Sequence, residues 1–140
     1  MSISIAETRD LDACFELRRV VFIEEQGVSL ADERDGRDDE AVHLLVHHQG
    51  EPIGTARILV SNDVAKIGRV CVLKHYRGNG HGSALVEACC AAAAKRPGVT
   101  MAKLGAQTHA IGFYEALGFT AEGPVYDDAG IPHRDMTRAL

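Results

Sequence analysis

"HYRGNGHGSALVEACCAAAAKR", residues 75–96, sets three glycines at alternate positions, Gly78, Gly80 and Gly82, directly before a run of small, helix-favouring side chains. The stretch before it, "VAKIGRVCVL" (64–73), is rich in β-branched residues at period two, so the unit reads as strand, glycine-rich turn, helix. At the mouth of such a unit the unpaired amides of the first helical turn and the helix dipole point the same way, and glycines let an anion approach the backbone. A phosphate-bearing ligand is therefore expected there. Two phosphate loops are excluded by spacing. Gly-Lys-Ser/Thr, needed for a P-loop, is absent, and Ser83 stands where a dinucleotide fingerprint would require its third glycine.

Outward from this unit the pattern alternates between periods. "ISIAE" (3–7) reads as a first strand, and "TRDLDACFELRRVVFIEEQ" (8–26) as a helix N-capped by Thr8, with Leu11, Phe15, Val20 or Val21 and Phe22 along its inner face. Residues 24–40 hold eight of the twenty acids and little apolar periodicity, which predicts a helix end and an exposed loop. "AVHLLVHHQGEPIGTARILVS" (41–61) predicts two strands joined near Gln49-Gly50, forming an antiparallel meander with the 64–73 strand. "VTMAKLGAQ" (99–107) is the next strand, "HAIGFYEALG" (109–118) a short helix stopped by Gly118, and "FTAEGPVYDD" with "PHRDMTRAL" the last two strands. The order is β-α-β-β-β-α-β-α-β-β. It predicts one α/β (α+β) domain over residues 1–140, with a mixed, mostly antiparallel sheet flanked by helices.

With 140 residues, 46% of them hydrophobic, the chain can close one core. Its net charge of -5 lacks the basic footprint of a nucleic-acid binder. No stretch approaches the roughly 20 apolar residues of a membrane span, so a soluble, cytoplasmic protein with neither nucleic-acid nor membrane partners is expected. Cys14, Cys71, Cys89 and Cys90 show no C-x-x-C spacing and read as reduced, mostly core thiols. No metal is expected either. His47 and His48 would point to opposite faces of a strand, and aligning Gly36 to the sixth place of a calcium loop leaves Ala31 and Val42 at its ends.

The spacing R-x-x-G-x-G, Arg77 to Gly82, resembles the acetyl-CoA loop of the GCN5-related N-acetyltransferase (GNAT) family. "QTHAIGFYEALGF" (107–119) is similar to that family's N-x-x-A-x-x-x-Y-x-x-x-G-F segment, and the element order is the family's order. Gln107 replaces the frequent Asn and keeps the amide; Lys74 replaces a frequent proline. "LRRVVFIEEQGV" (17–28) and "GIPHRDM" (130–136) further resemble a branch of small bacterial members.

The resemblance implies acetyl-CoA as co-substrate and an N-acetyltransferase acting by direct attack of a primary amine, of a small molecule or peptide, on the thioester. It implies that the Gly78, Asn79, Gly80, His81, Gly82 and Ser83 stretch binds the pyrophosphate by its amides, with Arg77 adding side-chain contacts. Val70, Cys71 and Val72 would pair with pantetheine and polarise the carbonyl, and Gln107 belongs to the same cofactor site. Tyr114 matches the tyrosine that protonates the departing thiolate, beside the cofactor. His133 matches a histidine that serves some relatives as general base, for which imidazole, with a reference pKa of about 6.5, is suited. Arg18 and Arg69 fall where the family lines its acceptor cleft and could clamp an anionic acceptor, or serve as surface charges or salt-bridge partners of the acidic 24–40 segment, whereas Glu25 and the acidic loop could attract a cationic one. Homodimers are frequent in the family. A non-catalytic acyl-CoA-binding sensor would need the same loop; Tyr114 together with His133 favours the enzyme.

Overall fold

The computed structural model describes residues 3–140. Seven strands form one sheet in the order β1-β2-β3-β4-β5-β7-β6. They are β1 (Ile3–Thr8), β2 (Val42–His48), β3 (Glu51–Ser61), β4 (Val64–Val72), β5 (Met101–Gln107), β6 (Thr120–Asp128) and β7 (Ile131–Ala139). Every neighbouring pair is antiparallel except β4 and β5, which run parallel. The helices are α1 (Leu11–Arg18), α2 (Leu30–Glu33), α3 (His81–Ala94) and α4 (Ile111–Glu115). Among the described residues no helix is long and apolar enough to cross a membrane.

Period-two alternation divides the core between the two faces of the sheet. Leu44 and Val46 of β2 pack with Leu85, Val86, Cys89 and Ala93 of α3, while Leu45 between them packs with Cys14, Leu17 and Val21 on the other face. The small side chains of α3 therefore lie against the sheet, as the alanine-rich segment predicts.

Three local expectations are corrected. Thr8 is the last residue of β1, held in the ladder opposite His43, and Asp10 caps α1 by accepting from the Ala13 amide at 3.1 Å. The first helix widens after Arg18 into a π-helical segment, Arg19–Glu25, where the Gln26 amide donates to Val21 five residues back. Its buried face is Cys14, Leu17, Arg18 and Val21, with Phe22 packed beside it; of the predicted stripe Val21 is buried, while Leu11 and Phe15 are only half-buried. Finally, the acidic stretch is not simply exposed: α2 and a 3₁₀ turn at Asp38–Glu40 bury Glu33 (2% exposed) and Asp38 (7%). Periodicity could not signal this, because charged partners rather than apolar ones cover these side chains.

Candidate active site

The parallel pairing of β4 and β5 covers only Val64 with Met101, Ala65 with Ala102 and Lys66 with Lys103. Beyond these the strands diverge, leaving the β5-facing edge of Ile67–Val72 without a strand partner and opening a cleft of about 810 Å³. A bulge re-aims β4 at this point. Thr55 pairs with Cys71 and Arg57 with Gly68, so Arg69 and Val70 together stand opposite Ala56. Arg69 takes the left-handed conformation, φ +52°.

The glycine-rich turn closes one end of the cleft. Gly78 and Gly80 both have φ +82°, and Gly80 precedes α3 with no side chain capping the helix. A Cβ at either would meet nothing within 4 Å, so backbone conformation, not crowding, requires glycine there. The first amides of α3 are left for an external anion. Asn79 stays outside the cleft lining and braces the turn, its amide donating to the Tyr76 and Arg77 carbonyls at 3.3 and 3.4 Å. The Arg77 side chain is spent on structure as well: Nε donates to the Val72 carbonyl at 2.8 Å, and its two terminal nitrogens donate to Glu25 at 2.6 and 2.8 Å. That pairing, above all the hydrogen bond, holds the Glu25 carboxyl below its ordinary pKa.

Val70, Cys71, Val72, Gly78, Gly80, His81, Gly82 and Ser83 all line the cleft, as do Gln107, Tyr114, His133 and Arg69. Arg18 and Glu25 do not. Tyr114, on α4, meets Phe113 and Phe119 edge-on with ring centroids 5.0 and 6.0 Å away. Burial, and secondarily the Cys89 thiol, pushes its phenol up to about 12. Burial likewise pushes the Cys71 thiol up to about 12, which leaves it protonated and a poor nucleophile near neutrality. His133 Nδ1 lies 2.7 Å from the Ile131 carbonyl. A carbonyl only accepts, so Nδ1 carries the proton and Nε2 is the basic nitrogen. Gln107 Nε2 donates to Gln26, the residue that ends the π-helical segment, at 2.9 Å, and Gln107 Oε1 accepts from His109 Nε2 at 2.7 Å.

Residues 21–140 match the Acetyltransferase (GNAT) domain family. The chain belongs to the GNAT family. The Bacillus subtilis (strain 168) protein YyaT is 40% identical, the alignment covering 97% of this chain and 93% of YyaT. An acyl-CoA N-acyltransferase from Pseudomonas aeruginosa superposes with a TM-score of 0.87 at 31% identity, covering 99% of this chain and 100% of the other. Escherichia coli ElaA does so with the same TM-score and identity, over 98% and 99%. As a GNAT protein the chain is an acyltransferase of the acyl-CoA-dependent kind, and its seven-stranded mixed sheet is the fold expected from sequence.

Within this GNAT framework, two groups of side chains surround the cleft residues: one that no sequence motif announces, and one that realises the salt bridges to the acidic segment open to Arg18 and Arg69. Tyr126 of β6 stacks on His133 with ring planes 23° apart and donates to Asp135 at 2.7 Å. It can do so because Gly105 of β5 has no side chain; a Cβ there would collide with the Tyr126 hydroxyl. A glycine inside a strand was the available signal. The second group is a buried ion network. Arg18 binds Glu33 and Asp38, Arg57 binds Asp35 and Asp38, and Arg69 binds Glu33. Burial alone would raise Asp38, but hydrogen bonds and charges from Arg18 and Arg57 outweigh it and hold the carboxyl below its ordinary value. Asp35, gripped by Arg57, is held far below it.

Proposed function

We propose that this chain transfers an acetyl group from acetyl-CoA to a primary amine of a small molecule or peptide by direct attack. The observation that carries the reading is the meeting of two features: the unpartnered edge of β4 and the positive-φ glycines ahead of α3, which open on one cleft. Together they fit an extended ligand that offers hydrogen-bonding amides along its middle and phosphates at its end. Acetyl-CoA supplies an activated acyl group as a thioester. The amides of Gly78 to Ser83 hold the pyrophosphate, and the backbone of Val70 to Val72 holds pantetheine and donates to the thioester carbonyl, where negative charge grows during attack.

Tyr114 is the proton donor. Its phenol, raised to about 12, is neutral throughout the physiological range and can hydrogen-bond a leaving sulfur within a buried wall. His133 is the base, with its ring fixed by the Ile131 carbonyl and Tyr126 and Nε2 free to take the amine proton. The acceptor enters from the side lined by Arg69, Asp32, Tyr126 and Asp128. Release of CoA thiol from acetyl-CoA, measured across a panel of amino acids, polyamines, aminoglycosides and peptides, tests the reading. An amine class that stimulates release and gains mass of one acetyl group supports it. Tight acetyl-CoA binding without release for every amine would favour the non-catalytic sensor.

A further inference from the structure

The Arg18–Glu33–Arg69 chain is placed where its desolvation cost needs a reason. Arg18 is 1% exposed and Glu33 2%. Buried ion pairs are often no more stabilising than apolar side chains of similar volume, so stability alone does not account for them. What the network grips is the bulge. Arg69 is the bulge residue, and its left-handed backbone is a conformation that non-glycine residues seldom adopt. The Glu33 carboxylate receives Arg69 Nε at 3.0 Å, and the Glu33 carbonyl receives Arg69 Nη2 at 2.9 Å. The same carboxylate oxygen receives Arg18 at 2.9 and 2.7 Å. Glu33 is thereby fixed from α1 while it holds β4.

We infer that Glu33 is a positioning residue: by gripping Arg69 it keeps the bulge in the shape that turns the backbone of Val70 to Val72 toward the cleft. This rests on the reading above, in which that backbone donates to the thioester carbonyl. Arg69 accordingly acts as a tether, and α2 as the anchor for the carbonyl-binding strand. Local preference would place Gly or Asn at this backbone conformation; arginine there trades conformational ease for a long side chain that reaches α2.

The test is the infrared carbonyl band of acetyl-CoA labelled with ¹³C at the thioester carbon, bound to the intact protein, with calorimetric affinity measured beside it. In wild type the band moves to lower frequency than in free acetyl-CoA, because a donor lengthens the C=O bond. In Glu33→Gln at least half of that displacement is lost while affinity stays within about threefold, and turnover falls by about tenfold to a hundredfold, short of the loss of a donor outright. Should Glu33→Gln not fold, Arg69→Asn carries the test, since asparagine tolerates left-handed backbone and leaves Glu33 paired with Arg18. The same loss of displacement is expected. A wild-type displacement retained in the folded variant overturns the role of Glu33 alone. A wild-type band that does not move overturns the carbonyl reading, and this proposal with it.

Discussion

Tyr114 was legible because it sits in a motif whose spacing is fixed by α4, and its packing against Phe113 and Phe119 gives the phenol a dry wall. Tyr114→Phe keeps that wall and removes only the hydroxyl, and with it the proton it would donate. Turnover is expected to drop by about tenfold to a thousandfold with acetyl-CoA affinity little changed, water supplying part of the lost function. Steady-state kinetics beside calorimetry checks this, and wild-type turnover would make the residue a packing element. Because the folded phenol titrates only at about 12, its ionisation contributes no alkaline fall in rate below pH 10. His133 carries the opposite pH signature. A base must be unprotonated, so the wild-type rate should fall on the acidic limb of its pH profile. His133→Ala should move or abolish that limb; an unchanged limb with unchanged turnover would leave proton removal to water. The side chain that holds this imidazole, Tyr126, was not legible. Its partner Gly105 is 21 residues removed from it by way of α4, and only the β5-β7-β6 order brings the two together.

The elements divide in the same way. The strand–glycine–helix unit could be read because each part has a local signature, and the positive φ at Gly78 and Gly80 favours glycine there. Gly80→Asp tests the loop as a unit. The site has room for the side chain, and aspartate tolerates positive φ at modest cost, so the fold should persist while the added negative charge at the mouth of α3 removes measurable acetyl-CoA binding. Titration calorimetry with wild-type affinity would refute this. Acidity and missing apolar periodicity make residues 24–40 look like a helix end and an exposed loop, and most of the loop is exposed. The burial of Glu33 and Asp38 within it depends on three arginines contributed by α1, β3 and β4, which no local window contains. The pH response follows from the sign of its shifts. Asp35 and Asp38 have folded pKa values below their ordinary ones. The stability they contribute is therefore present above the ordinary carboxylate range and lost as pH falls through it toward the folded values. Acidification below about pH 4 should open this segment first, seen as early loss of hydrogen-exchange protection over residues 29–41, and Asp38→Asn should destabilise the protein at neutral pH by about 3–5 kcal/mol by leaving Arg18 and Arg57 underpaired. Uniform loss of protection across all strands would contradict the first expectation.

At the scale of the whole molecule, the single sheet has two antiparallel halves, β1 to β4 and β5 to β7, joined by three residue pairs and backed by α3. That seam has the fewest strand pairings in the sheet and is where the cleft opens, because strands that stayed paired to their ends would leave no free backbone edge. A ligand seated there contacts β4 on one side and α4 on the other, and it bonds across the gap where the sheet cannot. Binding to the folded state alone stabilises it by mass action, about 2.7 kcal/mol at a hundredfold excess over Kd. For a domain near this size about 2–4 °C follows per kcal/mol, so acetyl-CoA should raise Tm by about 5–11 °C. The gain should be local before it is global. Hydrogen exchange should slow at the amides of 67–72 and 78–83, while β1 and β2, on the far side of the sheet, change little. Gly80→Asp should abolish both effects, because the phosphate contacts supply the hold that draws the rest of the ligand into the seam. Slowed exchange in β4 without any change in 78–83 would instead mean that the ligand lies along the strand edge alone, and the glycine turn would then be a turn and nothing more.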